Sequence, residues 1–208
     1  MTTIAIVKKN GFAVIAADSL TTFGNTRLTA QNDASHDKIL KCGDSFIGIC
    51  GSAAHHLVLE SVLTKTPDLK LHSKAEIFET FRKLHPVLKD EHFLNPKEDE
   101  DDPYESSQIT ALIANPSGIY AIYSMREVFE YTKFWAIGSG HEFSLGAMHQ
   151  AYSRHDNPVD IARAAVEAGA EFDKNSALPM TLYTVKLKDE TNIQWKLFQT
   201  SIGELQHA

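Results

Sequence analysis

The sequence predicts an α+β fold, and three observations predict it. Two β-prone runs flank Asn10-Gly11 at the start of the chain. Two well-separated pairs of helical segments follow, each pair bounded by strands. The resulting order is strands, two helices, strands, two helices, strands, which is not the alternation of a parallel βα sheet. At 208 residues, the chain suits one domain over 1–208, with a core large enough to need no metal or disulfide staple.

Asn-Gly is the preferred two-residue type I′ turn, so residues 2–19 read as a hairpin. The turn sets the register: Lys9 faces Phe12, Val7 faces Val14, and Thr3 faces Asp18. Opposite pairing puts Asp18 on the face of Thr3, so either Asp18 reaches Lys38 rather than Thr2 directly or a bulge shifts the strand, and the first is preferred. Ile4 and Ile6 fill one face of the first strand and Ala5 and Val7 the other, as in a sheet covered on both sides.

Residues 37–51 read as a second hairpin, turning at Gly43-Asp44. Ala53, Leu57, Val58, Val62 and Leu63 form a helical stripe over 52–65. Ser73 and Glu76 make a capping box for the next helix, whose apolar face is Ile77, Phe78, Phe81, Leu84 and Leu88. Pro86 is expected to kink or end it. An acidic loop covers 95–107, and strands at 108–114 and 118–124 meet at an Asn-Pro-Ser-Gly turn. Further short strands lie in FEYTKFWAIGSG, a helix covers 141–154, and Asn157 with Pro158 starts an alanine-rich helix running through Ala170. Strands PMTLYTVKL and IQWKLFQT close the domain.

The net charge of −7 and the absence of a basic run argue against a nucleic-acid partner. No apolar run is long enough for a membrane span, and no secretory leader is seen, so a cytoplasmic location with no membrane partner is expected. Cys42 and Cys50 are then expected to be buried structural thiols, a disulfide between them being disfavoured. The ten histidines form no zinc-ligand spacing, so neither a metal nor a cofactor is expected. Gly138-Ser139-Gly140 is no dinucleotide fingerprint, because the third glycine fails at Phe143.

Thr2 supplies a chemical possibility. A threonine hydroxyl is a poor nucleophile without a nearby base. An N-terminal threonine carries one in its own α-amine, whose reference pKa is about 7.7–8.0. Removal of Met1 would create that terminus. Taken singly, Asp18, Lys38, Gly51, Ser139, Asp173 and Ser176 each have an ordinary structural reading, and it is their joint presence that favours function.

The segments TTIAIVKKNGFAVIAADS, GNT, DKIL, IGICGSAA, AIGSG and FDKNSA, in that order, resemble the proteasome β-subunit and HslV family of N-terminal nucleophile hydrolases. The resemblance implies a four-layer αββα sandwich and a threonine-type endopeptidase working through an acyl ester. By matching position, Thr2 is the nucleophile, Asp18 and Lys38 its charged partners, and Gly51 the oxyanion donor. Ser139, Asp173 and Ser176 would orient the N-terminal amine. Thr22 and Ala53 would bind a substrate strand through backbone groups, and Ile49 would wall the first specificity pocket. The substrates implied are peptides or unfolded polypeptides, cut inside a homo-oligomeric double ring of twelve or fourteen subunits. Two departures from HslV stand out: a segment between GNT and DKIL longer by about four residues, and the acidic loop. Both resemble the betaproteobacterial proteasome homologues, and they leave an ATP-dependent unfoldase partner open. A catalytically silent ring scaffold and a small-molecule amidase with the same nucleophile are the alternatives.

Overall fold

The computed structural model describes residues 2–66, 69–96 and 101–188. The opening hairpin forms as the sequence predicts. Strands β1 (Thr3–Lys9) and β2 (Phe12–Asp18) pair with Lys9 opposite Phe12 and Val7 opposite Val14. Asn10 and Gly11 both take positive φ, 49° and 78°, as a type I′ turn requires. A short hairpin follows, β3 (Thr21–Phe23) and β4 (Thr26–Leu28). Next come β5 (Ile39–Cys42) and β6 (Ser45–Cys50), which turn at Gly43 and Asp44.

Helix α1 (Ala53–Lys65) is capped by Ser52. Its buried face is Leu59, Val62 and Leu63, whereas Leu57 is exposed and borders a cavity. Helix α2 (Lys74–Asp90) starts at Ser73, whose Oγ accepts from the Glu76 N–H, while the Glu76 carboxylate accepts from the His72 N–H rather than from Ser73. The helix buries Ile77, Phe81, Leu84 and Leu88, with Phe78 partly exposed. It continues past Pro86 for four further residues, so the proline does not end it. Three of the four apolar anchors precede the proline and Leu88 follows it, so tertiary packing holds both sides of the lost backbone donor.

Strands β7 (Thr110–Asn115), β8 (Gly118–Ile122), β9 (Val128–Tyr131) and β10 (Phe134–Gly138) lead to α3 (His141–Tyr152), α4 (Pro158–Phe172) and β11 (Met180–Lys186). Asn157 caps α4 with Pro158 in the first turn, as expected. The expected last strand, IQWKLFQT, lies outside the described residues, as does the Glu98–Glu100 part of the acidic loop.

Among the described residues, apart from the β3–β4 hairpin, the strands form two antiparallel sheets, one ordered β10-β1-β2-β11 and one β5-β6-β7-β8-β9. Strand alternation sorts the core into three slabs. Ile4, Ile6 and Ile15 meet Leu112, Ala114 and Ile119 between the sheets. Ala5, Val7 and Val14 face Met148, Ile161, Ala162 and Val166 of α3 and α4. Ile47, Ala111 and Ile113 face Leu59, Phe81 and Leu88 of α1 and α2. The order of layers is therefore αββα, and β1, apolar on both faces, lies inside it. Cys42 and Cys50 are free and half-buried rather than fully buried. They pack against different slabs, so no disulfide joins them.

Candidate active site

Thr2 precedes β1 and is 2% exposed. Its Oγ1 donates to Asp18 Oδ1 at 2.5 Å and accepts from Lys38 Nζ at 2.6 Å. Lys38 Nζ also donates to Asp18 Oδ1 at 2.7 Å and to the Leu20 carbonyl at 2.7 Å. The expectation that Asp18 would miss Thr2 is thus corrected. The hairpin register holds as far as Ile4 opposite Ala17, but Thr2 lies outside the ladder and is freed from its alternation. Asp18, at the end of β2, then reaches both the Thr3 backbone N–H at 2.9 Å and the Thr2 hydroxyl.

The Asp18 carboxylate is fully buried and saturated with donors. Oδ2 accepts from the backbone N–H of Leu20 at 2.9 Å and of Ala177 at 3.1 Å. A buried carboxylate is tolerated when hydrogen bonds and a counter-charge replace water. Lys38 supplies that charge with a side chain 13% exposed. Burial lowers the Lys38 pKa below the ordinary lysine value, against the opposing pull of Asp18.

A second cluster holds the backbone around Thr2. Ser139 Oγ and Ser176 Oγ donate to Asp173 Oδ2 at 2.6 and 2.7 Å, while Asn175 N–H and Nδ2 reach Oδ1 at 3.2 and 3.3 Å. Burial pushes the Asp173 carboxyl up, but these hydrogen bonds together hold it below the usual carboxylate value. Ser139 Oγ and the Gly140 N–H both point at the Thr2 carbonyl, at 3.4 Å. Ser176 Oγ lies 2.7 Å from the hydroxyl of Thr3 rather than from Thr2.

Thr2, Lys38 and Gly51 line a cavity of about 630 Å³, and Thr22, Ile49 and Ala53 line it too. Gly51 has φ of 119°, a conformation glycine adopts and side-chain-bearing residues avoid. It forms the turn between β6 and the Ser52 cap of α1. All ten residues singled out from the sequence therefore fall in one region, seven of them about Thr2 and its cavity wall and three in the Asp173 cluster behind it.

Sequence reasoning missed Thr3, Asn175 and the glycines around them. Thr3 Oγ1 is packed so closely that a Cβ on Gly169 would fall 2.5 Å from it, and one on Gly140 would also clash with it. A lone glycine inside the alanine-rich α4 was the available signal, since glycine there needs a packing reason.

A four-layer αββα sandwich with a threonine of the chain's N-terminal segment buried against an aspartate and a lysine has the architecture of the N-terminal nucleophile hydrolases. The proteasome subunit family profile matches residues 1–185, and the chain belongs to that family. It is similar to Thiobacillus denitrificans BPH, at 38% identity over 90% of this chain and 100% of that one, with a TM-score of 0.85. The same protein in complex with epoxomicin gives a TM-score of 0.84 at the same identity and coverage. Eukaryotic HslV from Trypanosoma brucei shares the fold, with a TM-score of 0.65 at 19% identity over 88% of this chain and 99% of that chain. The higher identity to BPH agrees with the departures from HslV seen in the sequence. Family membership supports a hydrolase acting on peptides.

Proposed function

We propose that the chain is a single-domain threonine endopeptidase that works through Thr2 once Met1 has been removed. The observation that carries this reading is the Thr2 hydroxyl, held 2.5 Å from Asp18 and 2.6 Å from Lys38 on the wall of an open cavity. An isolated structural threonine has no use for a buried ion pair at its oxygen.

The freed α-amine of Thr2 takes the Oγ proton as Oγ attacks the substrate carbonyl carbon. The oxyanion so formed faces the Gly51 N–H. The protonated amine then delivers its proton to the leaving nitrogen, the C–N bond breaks, and an ester to Thr2 remains. Water, deprotonated by the same amine, attacks that ester and returns Thr2 Oγ–H. Lys38 stays charged throughout, which keeps the amine neutral near pH 7, and Asp18 keeps Lys38 charged in its buried place. Ser139, Asp173 and Ser176 orient the terminus, Thr22 and Ala53 hold the substrate as an added strand, and Ile49 contacts its side chain. Assembly into a double ring in the cytoplasm would confine this nucleophile to unfolded chains, with or without an ATP-driven unfoldase to feed it.

The relative solved with epoxomicin supports the choice of probe. Intact mass after incubation with a peptide epoxyketone, a warhead that needs both hydroxyl and free amine, should show one adduct per chain starting at Thr2. Thr2→Ala should show none. An unsubstituted protein that stays unlabelled at saturating inhibitor, or keeps Met1 on N-terminal sequencing of the assembled form, would refute the reading.

A further inference from the structure

Asp37, immediately before Lys38, has no part in the roles above, yet its carboxylate is the most heavily bonded in the segment that delivers Lys38. Its Oδ1 accepts from Thr181 Oγ1 at 2.9 Å and from the Ile39 N–H at 2.9 Å. Its Oδ2 accepts from Tyr183 Oη at 2.5 Å. Thr181 and Tyr183 are two apart on β11 and therefore share one face.

The position of this clasp is what gives it meaning. Among the described residues, β11 is the edge strand of one sheet and β5 the edge strand of the other. Asp37 thus joins the two layers at the side where Thr2 and Lys38 meet. β11 also pairs with β2, placing Met180 opposite Asp18 and Thr181 opposite Ala17. The strand beside Asp18 is consequently the strand that grips the neighbour of Lys38. The Tyr183 ring is held in turn by stacking on Phe46, with centroids 4.7 Å apart and planes at 19°, and Phe46 pairs with Lys41 on β5. At Lys38 itself the tie to β6 is long, from Ile49 N–H to the Lys38 carbonyl at 3.3 Å. A flexible four-carbon side chain reaches three acceptors reproducibly only if its backbone is fixed.

We propose that Asp37 is a positioning residue: the Thr181–Asp37–Tyr183 clasp sets the separation of the two sheets at which Lys38 Nζ meets Thr2 and Asp18. This inference rests on the threonine-peptidase reading and names how that site is held together. Asp37 also borders the cavity, so direct contact with substrate is the competing role. Thr181 and Tyr183 do not line the cavity, which separates the two.

The test uses the full-length assembled protein with Thr181→Val and Tyr183→Phe together. Both changes leave the Asp37 charge in place. The clasp predicts a kcat lower by about tenfold to a hundredfold at nearly unchanged KM. It predicts that the acid limb of the kcat profile moves to higher pH, because the amine loses the nearby ammonium. It also predicts that the Lys38 ammonium, followed by NMR of ¹³C-labelled lysine, titrates closer to its ordinary value. Tyr183→Phe alone, which removes one hydroxyl, gives the same directions more weakly should the double variant fail to fold. An unchanged kcat and Lys38 titration overturns the proposal, as does a loss confined to KM. If the unsubstituted protein shows no Thr2-dependent turnover, the peptidase reading fails, while the lysine titration, repeated on Thr2→Ala, still decides the clasp.

Discussion

Thr2 Oγ1 donates to Asp18 Oδ1 at 2.5 Å, across sixteen positions of sequence. The same oxygen of Asp18 takes the Lys38 ammonium, so one buried carboxylate fixes both the hydroxyl and the charge beside it. Asp18→Asn keeps the shape and removes the counter-charge. Its kcat should fall by about 10²–10⁴, with the rate of epoxyketone labelling falling in parallel. Either change strands the buried ammonium and should lose about 3–5 kcal/mol of stability, Asp18→Ala more than Asp18→Asn because the amide keeps one acceptor for Lys38. Denaturant melts beside initial rates measure both effects.

Asp173 gives a pH signature. Its folded carboxyl is held below the reference value of 3.8, through the combined hydrogen bonds of Ser139, Ser176 and Asn175 acting against burial. The folded state therefore binds fewer protons than the unfolded chain in the window below that value. The stabilisation is complete above about pH 4 and is lost as pH falls through the folded pKa. Asp173→Asn should cost about 1.5–3 kcal/mol at pH 7. Its melting temperature should converge on that of the unsubstituted protein as pH is lowered toward 3. A gap that stays constant with pH would contradict the assignment.

Gly169 tests the Thr3 contact. In an ordinary helix interior, Gly→Ala stabilises by about 0.5–1 kcal/mol. Here the added Cβ would fall 2.5 Å from Thr3 Oγ1, so Gly169→Ala should destabilise and slow turnover together. Thr3→Ala in the same chain relieves much of the clash. The double variant should regain stability but not activity, and a double-mutant cycle on melting midpoints reads the coupling.

These contacts mark how far the sequence could be read. The hairpin was legible because Asn10-Gly11 dictates a turn whose length fixes register without tertiary help. The caps at Ser73 and Asn157 were legible for the same local reason. Pro86 misled because propensity gives way to packing: Leu84 and Leu88 bury against one core on either side of it. Leu57 misled in the opposite sense, since helical periodicity cannot tell a core face from a cavity wall. The direct Thr2–Asp18 contact was hidden because pleat alternation stops where the ladder stops. Asp37, Thr181 and Tyr183 are 144 and 146 positions apart in the chain, and no local pattern joins them.

The cavity wall predicts selectivity. Ile49, Phe23, Leu28 and Leu57 make its apolar part, with Phe23 and Leu57 61% and 69% exposed. Asp33 and Asp37 lie on the same wall. Peptides with an apolar residue before the cleaved bond should be preferred to acidic ones. Ile49→Ala removes three carbons and should raise the kcat/KM ratio of aromatic over small aliphatic residues by about tenfold. Fluorogenic peptides differing at that one position measure it.

A second constellation looks catalytic and is predicted to be silent. Ser107 Oγ lies 3.1 Å from His85 Nδ1, and His85 Nε2 lies 3.1 Å from Glu105 Oε2, which gives the order hydroxyl, imidazole, carboxylate. Order alone does not make a nucleophile. Ser107 is 1% exposed and, unlike Thr2, does not line the cavity through which a substrate carbonyl could approach. Arg126 Nη1 donates to the same oxygen at 2.8 Å and draws electron density from it. Lys89 shares the Glu105 carboxylate from α2. The group reads instead as a pin holding the segment before β7 against α2. Ser107→Ala should therefore leave turnover and epoxyketone labelling unchanged while costing about 1–3 kcal/mol of stability, since Arg126 loses a buried acceptor. A fluorophosphonate probe should leave Ser107 unmodified in the folded protein. Labelling at Ser107, or loss of peptidase activity in a folded Ser107→Ala protein, would show that this site takes part in the chemistry.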